Sequence, residues 1–190
     1  MYKRTLIAAF IGLFLSVAVS KGQTTGNCVV DAIMSSYSAR MFTPDPVTDN
    51  ELDMILKCGI KAPSARNSQL WKFTVVRDTA LTHDIIRNIV PGNVVIFVSG
   101  QESGQQGPNI DFDCALATEN MYVAAQGLGL GAHIYTGPVG NINSTMRQVL
   151  GIPEGYRVVS VLRVGHIDKS VDATSSASAR KKPEEVINYK

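Results

Sequence analysis

Between Thr48 and Trp71 the chain has little conformational choice. Thr48 and Glu51 stand at the S/T-x-x-E spacing of a capping box, where each satisfies an otherwise orphaned backbone donor at a helix start. Leu52, Ile55, Leu56, Gly59 and Ile60 then fall on one helical stripe. Pro63 cannot continue that helix, because it lacks an N–H and its ring clashes with the preceding turn. A short polar stretch follows, and residues 72–77 read as a strand. A helix stopped abruptly and feeding a strand through a polar loop predicts a mixed fold.

The remaining periodicities extend that pattern. Val29, Val30, Ile33, Met34 and Tyr37 predict a helix over about residues 27–38. Residues 93–99 read as a buried strand rich in Val and Ile. Leu81, Ile85, Ile86 and Ile89 predict a helix before it, stopped by Pro91 and Gly92. A polar Gly/Gln loop over 100–108 leads to a long Ala-rich helix over 112–128. A short helix is expected over 143–150, closed by Gly151 and Pro153, and a strand over 157–165. Residues 168–178 read as a mobile Ser/Ala linker, with a last strand over 186–189 as an option. With about four strands among helices, the expectation is an α+β or three-layer arrangement.

Composition narrows the function classes. A 45% hydrophobic content in 190 residues suffices for one core, and no internal repeat is visible. The net charge of +2 and the lack of interleaved aromatic and basic residues give no support for nucleic-acid binding. The three cysteines show no CxxC or metal-ligand spacing, and Cys58 and Cys114 read as small buried hydrophobes. There is no GxSxG elbow. Lys3 and Arg4 precede an apolar run over 6–19 that is too short to span a bilayer comfortably. With Ala18 and Ser20 at −3 and −1 of one candidate cut, and Ser20 and Gly22 at those of another, residues 1–22 read as a secretory signal peptide. The expected mature domain is 23–190, exported to the periplasm, with an uncleaved membrane anchor as the alternative.

Four constellations carry chemistry. Ser36, Tyr37, Ser38 and Arg40 close the first helix, and an Arg beside hydroxyls can fork onto a phosphate. Taken alone, an Arg at this place is more often a solvated helix-end cation. Pro63, Ser64, Ala65, Asn67 and Gln69 form a loop dense in donors and acceptors, as the mixed edge of a heteroaromatic ring requires, although an ordinary connection has the same look. Gly127, Gly129 and Gly131 resemble a phosphate-binding glycine run but follow a helix, so they read as a C-cap and tight turn. Tyr135, Thr136 and Gly137 come next, and a backbone N–H there could face a ligand. Arg180 and Lys181 open a basic cluster near the C-terminus.

In order, Ser-x-Arg-x-Phe, Pro-Val, Ala-Pro-Ser-Ala-x-Asn-x-Gln-x-Trp-x-Phe, Asn-Met-x-x-Ala-Ala-x-x-Leu-Gly-Leu-Gly and Lys-Pro-Glu-Glu-Val resemble the nitroreductase family, from about Asp31 to the end. The resemblance implies a three-layer α/β/α fold with a mainly antiparallel central sheet. It implies a homodimer with swapped C-terminal tails and two FMN molecules at its interface. Ser36, Tyr37, Ser38, Arg40 and one of Arg180 and Lys181 would hold the phosphate end. Pro63, Ser64, Ala65, Asn67 and Gln69 would touch the ribityl chain and ring, with Tyr135, Thr136 and Gly137 behind the ring near N5. The implied activity is ping-pong hydride transfer from NAD(P)H or another donor to nitroaromatic, quinone or similar acceptors, with no catalytic side chain and no metal. An exported flavin carrier is the alternative. Three departures from the family pattern stand out. Ser36 replaces a frequent Arg. The tail register selects either Arg180 or Lys181. The region that carries extra helices in longer members is reduced to residues 83–108.

Overall fold

The structure, a computed structural model, describes residues 25–102, 104, 107–171 and 180–190. The leader expected over 1–22 and most of the linker expected over 168–178 lie outside the described residues. Four strands, β1 (Trp71–Val76), β2 (Val94–Gln101), β3 (Gly131–Tyr135) and β4 (Tyr156–Gly165), form one sheet in the order β1-β2-β4-β3. Every pairing is antiparallel. The fold is therefore α+β.

Alternation along β2 and β4 builds a core on each face of the sheet. Val94, Ile96, Val98, Leu162 and Val164 meet helices α2 (Asp49–Ile60) and α4 (Ile110–Gly127). Val95, Phe97, Val158 and Val161 face the other way, toward Ile86, Ile142 and Leu150. A bulge between Val98 and Ser99 shifts the register, so that Ser99 pairs with Val158. Helix α4 spans the sheet because Ile110, Cys114, Ala117, Met121 and Ala125 make one buried stripe. It closes at Leu128, with Gly129 at φ +79 in the left-handed region that favours glycine.

The expected capping box is present: Thr48 accepts from the Glu51 amide, and the Glu51 carboxylate accepts from the Thr48 amide at 2.8 Å. Helix α1 (Cys28–Ser35) starts at Asn27, whose side chain caps the Val29 and Val30 amides, and it buries no residue. The stripe ending at Ile89 gives only one turn of helix, α3 (Thr79–Thr82), followed by tight turns. The Asn88 carbonyl accepts from Arg163 at 2.8 Å, which ties this segment to β4 instead of to a helix axis. The helix expected over 143–150 is a short turn, α5 (Val139–Asn141), running into a π-helical stretch over Ile142–Met146. There the Asn143 side chain both donates to and accepts from the Val158 backbone, at 2.9 and 2.8 Å, locking the widened turn to β4.

The tail contains one helical turn, α6 (Pro183–Val186), in place of a strand within its own chain. Val186 at its end, and Ile187 and Tyr189 beyond it, are exposed. Among the described residues no helix is long and apolar enough to cross a membrane.

Gly131 opens β3 where residues 38–42 pass close by. A Cβ there would lie 2.6 Å from Ile167 Cγ1 and 2.8 Å from Ala39 Cβ. Gly131→Ala is expected to destabilise the fold by roughly 1–3 kcal/mol, because the Ala39 methyl cannot swing aside. Urea denaturation of the variant against wild type measures this.

Candidate functional site

Helix α1 ends at Ser36, whose amide and Oγ both donate to the Ile33 carbonyl, at 3.2 and 2.8 Å. The chain then turns extended and runs beside β3, with Ser38 bridged to Ala132. This turn brings the Ser36 and Ser38 side chains close enough to the Tyr122 phenol on α4 to act on it. Burial pushes the Tyr122 phenol up; Ser38 and Ser36 pull it back, the Glu119 carboxylate pushes it further up, and the Arg180 charge, the weakest influence, pulls it down. Two serine hydroxyls thus lie by a phenol, and the charges of Glu119 and Arg180 are both felt there. Gln126, one turn further along α4, donates to the Tyr37 carbonyl at 3.0 Å. Both tail cations are exposed, and Arg180 is the one whose charge acts on Tyr122.

Arg40 follows, with its side chain exposed and its backbone fixed. Its carbonyl accepts from Asn88 Nδ2 at 2.9 Å, and the Ala39 carbonyl meets His133 Nδ1 at 2.8 Å. A carbonyl can only accept, so His133 carries its proton on Nδ1. Behind this backbone lies Arg163, which is fully buried. Its Nε donates to Asn93 at 2.7 Å, its Nη1 to the Asn88 side chain at 3.0 Å, and its guanidinium stacks 4.1 Å from the centre of the Phe42 ring.

The loop after Pro63 packs on the other end of α4. Residues Ala65–Asn67 form a short 3-10 turn, and Arg66, Asn67 and Gln69 have φ of 55, 53 and 49. Asn tolerates the left-handed region, but Arg and Gln are strained there. The Gln69 amide donates to Ser64 Oγ at 3.1 Å, and Gln69 Nε2 to Asn67 Oδ1 at 3.1 Å. The Ala65 amide donates to both oxygens of the buried Asp113, at 3.1 and 3.2 Å. Ser68 Oγ is buried without a partner. Pro63, Ser64, Ala65, Phe112, Asp113 and Leu116 line a cavity of about 480 Å³. Tyr135 closes β3 and stacks on His133 at 4.3 Å between ring centres, and beyond it Thr136 and Gly137 are exposed.

The sequence motifs therefore fall into two ensembles in one chain. Ser36 and Ser38 lie by Tyr122, where the Arg180 charge is felt, and the loop from Pro63 to Gln69 meets Asp113. Tyr122 and Asp113 stand about 14 Å apart along α4 at the rise of an α-helix. Asp113, Tyr122, Asn88 and Arg163 were not predicted from sequence. Only Tyr122 lay inside a quoted motif, and its hydroxyl within a helical run was the one available signal.

The model of the nitroreductase family matches residues 33–92 and 90–166. A protein of Archaeoglobus fulgidus described as an NADH dehydrogenase/NAD(P)H nitroreductase is 31% identical over 144 residues, covering 70% of this chain and 82% of that protein. An NADPH-flavin oxidoreductase of Vibrio harveyi is 25% identical over 165 residues, covering 76% of this chain and 68% of the relative. The crystal structure of an FMN-bound nitroreductase from Bacteroides fragilis superposes with a TM-score of 0.72 at 20% identity, covering 86% of this chain and 100% of that one. The chain belongs to the nitroreductase family.

Two outcomes follow from this geometry. Arg66→Gly is expected to stabilise the fold by about 1 kcal/mol, because glycine adopts the left-handed conformation without penalty; urea denaturation is the check. Burial pushes the His133 imidazole down, the Ala39 carbonyl opposes this, and Arg40 and Arg163 push it further down. Below about pH 6.5 the unfolded chain therefore binds the proton more readily than the folded one. Stability should fall as the pH drops through that value, and His133→Gln should flatten the slope in a urea series across it.

Proposed function

We propose that this protein is an FMN-dependent oxidoreductase that moves hydride from NAD(P)H, or another donor, to nitroaromatic, quinone or similar acceptors. The observation that carries this is membership of the nitroreductase family, in a chain that sets Ser36 and Ser38 by Tyr122 within reach of the Arg180 charge. A phosphate near two negative charges calls for charged and hydroxyl donors held together in advance, and these groups fit that demand. Arg180 offers a cation where Ser36 replaces the family's frequent Arg. Arg40, with its backbone pinned by Asn88, would supply a second. Pro63, Ser64, Ala65, Asn67 and Gln69 would hold the ribityl chain and ring edge, and the unpartnered Ser68 hydroxyl marks unmet polar capacity in that loop. Thr136 and Gly137 would offer backbone N–H groups from the end of β3. The flavin, when bound, supplies hydride uptake and release at N5. The side chains contribute binding, orientation and exclusion of water.

The reading includes a homodimer with exchanged tails. The apolar residues Val29, Val30, Ile33 and Met34 of α1, and Val186, Ile187 and Tyr189 of the tail, are exposed on a single copy. A second copy would cover them. The separation of the two ensembles along α4 is compatible with each flavin drawing on both subunits. Export to the periplasm behind a leader over 1–22 is part of the same reading, with a further donor beside nicotinamide nucleotides, which are scarce outside the cytoplasm.

The test is anaerobic mixing of the FMN-loaded protein with NADH or NADPH. Bleaching of the flavin absorbance by either is expected. FMN that binds tightly yet is bleached by neither would favour the exported carrier, and a chain that takes up no FMN would overturn both. Arg180→Ala should weaken FMN about tenfold or more, through loss of a charge-assisted bond, while leaving riboflavin affinity unchanged. Fluorescence titration of the apoprotein measures both affinities.

A further inference from the structure

The loop from Pro63 to Gln69 is unusual in what it costs and in how it is held. Arg66, Asn67 and Gln69 all have φ near +50. Residues in such sparsely populated backbone regions persist only where the surroundings over-determine them. The two ends are fixed, since Ala62 is buried before Pro63 and the buried Trp71 begins β1. The hydrogen bonds among Ser64, Asn67 and Gln69 stay inside the loop and move with it. Among the described residues, one hydrogen-bonded pair ties the strained segment to another element: the Ala65 amide on both oxygens of Asp113.

Asp113 is an uncommon residue in that position. It is 2% exposed, and none of the ion pairs among the described residues includes it. A buried carboxylate without a cation is expensive unless other dipoles face it. Asp113 sits in the first turn of α4, where the helix dipole favours negative charge. Its two oxygens then converge on a single amide. Its charge is felt locally: the Cys114 thiol is pushed up to about 12, first by burial and then by Asp111 and Asp113. Its side chain also forms part of the wall of the 480 Å³ cavity that Pro63, Ser64 and Ala65 line.

We propose that Asp113 is a positioning residue, which clamps the Ala65 amide and thereby holds the loop in the one strained shape that receives the flavin ring. This rests on the flavin reading above and assigns no catalytic step to Asp113. The clamp acts on the ring end of the site, about 14 Å along α4 from the Ser36–Tyr122–Arg180 cluster. Its loss should therefore affect FMN and riboflavin alike, unlike a change in the phosphate cradle.

The experiment uses the full-length apoprotein with three single variants, Asp113→Ala, Asp113→Asn and Ala65→Pro, and the double variant Asp113→Ala/Ala65→Pro. Pro at 65 removes the donor while leaving the carboxylate, and Ser64, at φ −142 and ψ 156, already has the extended conformation that precedes proline. FMN and riboflavin affinities are measured by fluorescence titration, and limited trypsin digestion reports the rate of cleavage after Arg66. Asp113→Ala is expected to weaken both flavins by a similar factor, about tenfold or more. It should also speed cleavage after Arg66 while leaving cleavage at other sites unchanged. Asp113→Asn keeps one acceptor oxygen and should retain part of the affinity. In the double variant Asp113→Ala/Ala65→Pro, the second change should add little to the first, since both remove one interaction. If Asp113→Ala does not fold, Ala65→Pro alone carries the test by the same two readouts.

Unchanged flavin affinities together with unchanged cleavage after Arg66 would overturn the Asp113 role and leave the flavin reading standing. So would additive losses in the double variant, or faster cleavage at every site, which would mark a general loss of stability. A wild-type protein that takes up neither flavin would overturn the flavin reading, and the ligand named here with it. The trypsin arm would then still decide whether Asp113 holds the loop.

Discussion

The guanidinium of Arg163 is buried in the sheet, and its partners are neutral. Asn88 and Asn93 take its hydrogen bonds, and Phe42 covers its face. Burial pulls the guanidinium down from its ordinary value, but arginine stays charged. A buried cation is tolerable only when its donors are satisfied, so it organises whatever satisfies them. Here that is the segment around Asn88 and the strand-like stretch that carries Phe42. Through Asn88 the same charge fixes the Arg40 carbonyl, and through the neighbouring His133 the Ala39 backbone is fixed as well. Residues 38–42 therefore have a set path over β3, and the hydroxyls of Ser36 and Ser38 reach Tyr122 because of it.

The site follows a division of labour along α4. Tyr122 and Gln126 hold the turn after α1, and Asp113 in the first turn holds the loop after Pro63. Both ensembles consist of irregular backbone braced by a helix that buries its own stripe in the core. Rigid support of this kind limits how far binding groups drift, which matters where a cofactor does the chemistry and the protein supplies position. The strain at Arg66 and Gln69 is confined to the loop and is not spread into α2 or β1.

Much of this was legible in the sequence where the signal is local. The capping box at Thr48, the stop at Pro63 and the glycine C-cap at Gly129 are set by neighbouring residues and stand where expected. Strands β1, β2 and β4 have enough Val and Ile to declare themselves. Strand β3 was missed because Gly131–Tyr135 is short and starts inside a glycine run. The helix over 81–89 was overcalled because its apolar stripe is real, yet Arg163 claims the Asn88 carbonyl. The optional tail strand does not form within the chain: a strand needs an edge to pair with, and residues 187–190 pair with none of β1 to β4. The motif residues of the site were visible as a pattern in order along the chain. The roles of Asp113, Asn88 and Arg163 were not, because each depends on a partner dozens of residues away.

The account comes down to where a flavin phosphate would sit. A crystal structure of the protein grown with FMN tests this most directly. The account predicts phosphate oxygens within hydrogen-bonding distance of Arg180 and of the Ser36 or Ser38 hydroxyl, beside Tyr122. A phosphate bound away from Tyr122, or held without Arg180, would contradict it.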